Sequence, residues 1–228
     1  MTVLHLADEG EAADLAAFLS RLLHYDRAAA VRLQASGTAL AVFGRPPSFE
    51  VLAIRAVRLA KPYENGLDVT LDVTVSAGEL LESVDESAGT ATVPGAVTGP
   101  PWAGVLPPRG GWQAEPGLPA PDALRALVAA AVTEFRARTE ALTAESRTRA
   151  ELDRIGREIW SRTVGRTDLP VRAVHAAQSL GFLRPLQPAD ADGAPVLLVS
   201  GPWLRLRTPY GSVALRRAGL GALGLSVR

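Results

Sequence analysis

The sequence contains no cysteine, which excludes disulfides, thiolate metal sites and thiol nucleophiles. It has no net charge: 24 basic side chains face 24 acidic ones, so no overall field attracts polyanions or membrane surfaces. Among the basic residues only Lys61 is a lysine. Arginine in that proportion, beside abundant alanine, reflects a GC-rich genome and is no evidence of nucleic-acid binding. No apolar run approaches the roughly 18 residues needed to span a bilayer. The opening MTVLHLADEGEAADL turns acidic after six residues and lacks the basic start of a signal peptide. A cytoplasmic location is expected by elimination, with no membrane partner.

Catalytic patterns are equally scarce. Ser200-Gly-Pro lacks the flanking glycines and following helix of a nucleophile elbow. Gly104, Gly110 and Gly111 are spaced wrongly for a phosphate loop, and no GK[ST] follows. His5, His24 and His175 lie far apart and none has a ligand-like neighbour three or four residues on, so neither a metal nor a cofactor is expected. The acidic residues of the first half fall mostly on expected helix surfaces, where solvation explains them. Enzymatic activity is therefore not the favoured expectation, and a hydrolase with an unrecognised site is the third choice.

What is present is a soluble, globular composition, 47% hydrophobic and 21% charged over 228 residues, long enough for one large domain or two small ones. Charge is unevenly spread: residues 1–150 carry 13 basic and 18 acidic side chains, residues 151–228 carry 11 and 6.

In chain order, Thr2 to Ala7 reads as a strand, and Asp8 is placed to cap a helix whose Ala12, Leu15, Phe18, Leu19, Leu22 and Leu23 recur at three- and four-residue spacing. From Ala29 the period changes to two, giving three strands with a tight turn at Gly37. Asn65-Gly66 marks another turn, followed by alternating LDVTLDVTVS, a short helix AGELLESVDE and a strand at TATVPGAV. Pro94 to Pro121 then holds eight prolines with Trp102 and Trp112; it excludes regular helix or central strand but is too apolar for a flexible linker. Helices follow from Pro121, from the Thr148/Glu151 capping box and from Pro170 to Gly181. The final element is a hairpin turning at Thr208-Pro-Tyr-Gly211, with Leu204, Leu206, Val213 and Leu215 on one face and Arg205, Arg207 and Arg216 on the other. AGLGALGLSVR is expected as a loose or edge-covering tail.

The expected fold is α+β: an antiparallel sheet with two helices in residues 1–97, an ordered Pro/Gly/Trp crossover in 98–120, and a helical layer plus C-terminal β-hairpin in 121–228, the three integrated or separate. The crossover's indoles are expected to be buried between the sheet and the helix beginning at Pro121.

The order of elements in the first 97 residues resembles half of a DNA sliding-clamp subunit in topology. That resemblance implies a fold, while Glu9, Glu11, Asp14, Glu79, Glu82, Asp85 and Glu86 contradict a DNA-lining role. Three helices and a basic hairpin resemble a winged helix-turn-helix, which implies duplex DNA contact through Arg172, Gln178, Arg205, Arg207 and Arg216. The whole chain, on GPPWAGVLPPRGGW and GPWLRLRTPYGS, is similar to a family of uncharacterised conserved actinobacterial proteins; this implies a source and no activity. The leading expectation is a non-catalytic binding protein acting through protein contacts, as a homo-oligomer or with a protein partner. It is motivated by apolar helices and open strand edges, with Trp102, Arg109 and Trp112 as contact residues. A DNA-binding regulator is the alternative.

Overall fold

The computed structural model describes residues 2–60, 71–185 and 193–217. The first half runs β1 (Val3–His5), α1 (Glu9–Tyr25), β2 (Ala30–Ser36), β3 (Ala39–Gly44), β4 (Leu52–Arg58), β5 (Leu71–Ser76), α2 (Ala77–Glu82), β6 (Val84–Asp85) and β7 (Thr90–Thr92). The second half runs β8 (Gln113–Glu115), α3 (Pro121–Glu140), α4 (Arg149–Trp160), α5 (Val171–Ser179), β9 (Val196–Ser200), β10 (Trp203–Thr208) and β11 (Gly211–Arg216). Mixed helices and antiparallel strands make this an α+β fold. The Asn65-Gly66 turn and the tail AGLGALGLSVR lie outside the described residues.

Local chemistry sets most boundaries. Asp8 caps α1 by accepting from the Glu11 N–H at 2.9 Å, and Thr148 caps α4 by accepting from the Glu151 N–H at 3.3 Å. Pro121 occupies the first turn of α3, where its missing donor is harmless. Gly37 turns β2 into β3 at φ 62°, a conformation that side chains resist.

Both halves contribute to one antiparallel sheet of order β5-β2-β3-β4-β11-β10-β9-β8, joined where β4 pairs with β11 (Ser212 opposite Ile54). A smaller sheet, β1-β7-β6, is tied to the large one by a bridge between Leu6 and Leu59, just beyond β1 and β4. β5 does not extend the meander β2-β3-β4 but returns beside β2, a Greek-key order. The expected hairpin gains a third strand, β9, and lies inside the sheet with β4 on its other side.

Alternation along the strands separates two faces. One face carries Val31, Leu33, Leu40, Val42, Val57, Leu204, Leu206 and Val213 into the main core. There α1 packs on β4, α2 on β5 and α5 on β10 and β11, with α3 and α4 behind α5. Close packing reaches a limit at Gly211, where an added Cβ would collide with the Phe182 ring.

This core encloses charge. Arg55, on β4 and only 6% exposed, binds Glu11 at 3.0 Å and Asp14 at 3.1 Å, and donates to the Tyr210 carbonyl at 2.7 Å. Arg58 reaches the other Glu11 oxygen at 2.7 Å, and Arg184 clasps Asp14 at 2.8 and 2.9 Å while lying 3.7 Å over the Tyr210 ring. Burial works to raise the Asp14 carboxyl, but the hydrogen bonds from Arg184 and the charges of Arg55, Arg184 and Arg21 outweigh it and hold Asp14 below the ordinary carboxylate range. Glu11 and Asp14 are thus not solvated surface acids, as their helical positions suggest. They tie α1 to β4 and to the turn between β10 and β11.

The opposite face holds a smaller apolar cluster of Phe43, Leu52, Ile54 and Ala214, on which Trp102, Leu106 and Trp203 pack. The crossover covers this face instead of the seam under α3. It starts at the β5 edge, where Val97 donates to the Thr74 carbonyl at 2.9 Å and Ala96 bridges Val75. It ends as β8 on the far edge, paired with β9. A single segment therefore straps the sheet from rim to rim. The three residues of β8 are too few to show a period and are followed by Pro116, so the sequence reads them as irregular. The expectation for the indoles is corrected: both are half-buried and lie on the face away from the helices, because α1, α2 and α5 already fill the other one.

Candidate functional site

Beneath the strap lies a groove of about 440 Å³. Its floor comes from the exposed-side positions of β2, β3 and β4, including Gln34, Ala41, Phe43, Ile54 and Ala56, and its wall from Pro107, Pro108 and Arg109. Asp72 on β5 closes one end and Arg205 on β10 the other. The prolines stiffen the wall, and Trp112 braces it by donating its indole N–H to the Pro108 carbonyl at 2.9 Å.

The two ends differ in chemistry. Arg32 grips Asp72 with two hydrogen bonds of 2.7 and 2.9 Å, Gln34 adds a third at 3.1 Å, and Arg32 also donates to the Ala103 carbonyl of the strap. The Arg32 hydrogen bonds, supported by Gln34 and the charge of Arg109, hold the Asp72 carboxyl below its usual range. That end is satisfied. Among the described residues Arg205 has no hydrogen-bond or ion-pair partner, and its Nε is enclosed. Its only described contact is the Trp112 ring, 5.8 Å from the guanidinium carbon. Burial, with neighbouring Arg207 adding to it, pushes the Arg205 guanidinium below its ordinary value.

Of the residues singled out from the sequence, Trp102, Arg109, Trp112, Arg205, Arg207 and Arg216 all reach this face. Arg172 and Gln178 do not join them. They sit on α5 across the sheet, where Arg172 is 3.6 Å from Glu50 and Val171, Ala173, Val174, Ala176 and Ala177 are buried. Arg32, Gln34 and Asp72 were not among the expected site residues. Their signal is present, since each is the polar position of an alternating strand, but which strands are neighbours cannot be read from spacing.

A second, wider cavity of about 970 Å³ lies between the end of α1 and helices α4 and α5. His175 stacks on Trp160 at 4.7 Å and meets the Phe49 edge at 5.1 Å, and burial lowers its pKa, so it is neutral at neutral pH. His5 and His24 are not part of this cavity. Among the described residues no group of three or more histidine and carboxylate side chains is placed to hold a metal ion. No described helix is long and apolar enough to cross a membrane.

Residues 1–104 match a family model described as a domain of unknown function (DUF8010), and residues 107–220 match a second, also a domain of unknown function (DUF8185). No curated protein matches the chain. The two matched regions meet inside the strap, between Gly104 and Pro107, while their strands share one sheet. The chain belongs to the family of proteins that carry these two domains.

Proposed function

We propose that the protein is a non-catalytic binding protein that acts through protein contacts, as a homo-oligomer or with a partner chain, and that the strapped face of the sheet is its contact surface. The observation that carries this is that Trp102, Arg109 and Trp112 of the strap share one face of the sheet with Arg205 of β10, and that Arg205, at the end of the groove, has no ion-pair partner among the described residues. Half-buried tryptophans and arginines on a stiff frame are the residue types that dominate interface energetics. Size-exclusion chromatography with light scattering, paired with crosslinking to the full chain, tests it. The expected result is a concentration-dependent oligomer or a retained partner, with crosslinks on the strap. A strict monomer that retains nothing overturns it.

The row Arg205, Arg207 and Arg216 on one face supports a second reading, contact with duplex DNA. It expects a salt-dependent gel shift by the full chain that is lost in the Arg205→Ala, Arg207→Ala double variant. Absence of any shift at low salt removes that reading.

A further inference from the structure

We propose that the groove under the strap receives an extended peptide segment bearing an acidic side chain, whose carboxylate pairs with Arg205. This rests on the binding reading above and names the chemistry of the occupant.

Shape argues for a chain-like occupant. The groove is lined from Asp72 on β5 to Arg205 on β10, and in the sheet order these strands are separated by β2, β3, β4 and β11. No residue of β11 lines it, so at about 4.8 Å per strand step the continuous floor from β5 to β4 is about 14 Å long, the reach of about four extended residues, with Arg205 reaching in beyond it. Spread over that length, a volume of about 440 Å³ is narrow, suited to a polypeptide in extended form and too thin for a compact ligand.

Charge fixes the polarity. At the β5 end, Asp72 is saturated by Arg32 and Gln34 and has little left to offer an incoming cation. At the β10 end, Arg205 is partly desolvated and carries a guanidinium with no acceptor among the described residues. A carboxylate placed there gains a charge-assisted hydrogen bond that the folded chain does not itself provide. Arg109, exposed beside Pro107 and Pro108 on the strap, stands toward the other end, where its charge acts on Asp72. Between the ends, Ala41, Phe43, Ile54 and Ala56 offer apolar floor to side chains flanking the acid. A nucleic-acid strand fits less well: it places a charge at every nucleotide, whereas the floor between the two ends is apolar.

The test selects a display library of random peptides, long enough to fill the groove, on the immobilised full chain. Selected peptides are then synthesised with a fluorophore and titrated by anisotropy. Expected are sequences with an Asp or Glu flanked by apolar residues. Their binding should fall about tenfold or more in Arg205→Gln, the loss of one hydrogen bond to a charged group, and fall similarly when the acid is replaced by its amide. Among the described residues Arg205 bonds to nothing, so its substitution should leave the thermal midpoint unchanged; Arg109→Gln, toward the Asp72 end, is the control and should weaken binding less than Arg205→Gln. No enrichment, enrichment without an acid, or binding indifferent to Arg205→Gln overturns the proposal. So does a single-stranded oligonucleotide or inorganic phosphate that displaces the peptides at lower concentration than the unlabelled peptide. An oligomer crosslinked through the strap with no acidic selection would leave the broader binding reading standing and remove this one.

Discussion

The two faces of the large sheet treat a buried arginine in opposite ways. On the helix side, Arg55 is enclosed by Glu11, Asp14 and the Tyr210 carbonyl. On the strapped side, Arg205 is partly enclosed and left with an indole alone. Enclosing a guanidinium costs several kcal/mol unless acceptors replace the lost water. The fold supplies those acceptors where the arginine holds helix α1 to the sheet and omits them where the arginine faces a groove. The difference separates an arginine that serves the structure from one that is available to something outside it.

The sharpest way to break this comparison is to remove each charge in turn. Arg55→Met should destabilise the protein by about 3–5 kcal/mol, because it leaves Glu11 with Arg58 alone and weakens the hold on Asp14. Arg205→Met should be neutral or stabilising, since it removes a desolvated cation that pairs with nothing. Urea denaturation of both variants checks this, and equal losses would erase the distinction. A smaller contrast comes from glycines. Gly211→Ala on the helix side drives a methyl into Phe182 and should cost about 1–3 kcal/mol. Gly110→Ala on the strap meets open space and should be neutral, or stabilising by about 0.4–1 kcal/mol. Thermal unfolding followed by circular dichroism reads both.

The smallest effect concerns pH. The folded Asp14 carboxyl is depressed, so its contribution is fully present above its unfolded pKa of about 3.9 and is lost as pH falls through the lower folded value. Acid titration of stability should therefore show a decline below about pH 4 that is shallower in Asp14→Asn. Arg205→Gln should leave the same profile unaltered, since no carboxylate pairs with it. A matching change in both variants would mean that the two faces are electrostatically coupled.

The helices were the most legible part of the chain. α1, α3 and α4 announce themselves by apolar spacing and caps, and the Thr148 cap sits where the capping box places it. Alternation also separated Leu204 and Leu206 from Arg205 and Arg207 correctly. What could not be read was anything that depends on pairing distant strands. LAIRAVR shows alternation but not that Arg55 will meet Glu11, 44 residues away. Nor does any local pattern predict that β4 pairs with β11, which alone brings Arg205 onto the same face as Phe43 and Ile54. The strap's content was legible as rigid and apolar, and its path was not, because prolines and glycines specify stiffness and turning without specifying a destination.

The strap also settles where the sheet stops. An antiparallel sheet with bare rims offers unpaired N–H and C=O groups on which further chains can grow. Here one rim is engaged by Ala96 and Val97 along β5, and the other ends in the three residues of β8, followed at once by Pro116. One stretch of chain thus limits extension at both ends, which disfavours strand-by-strand fibre growth.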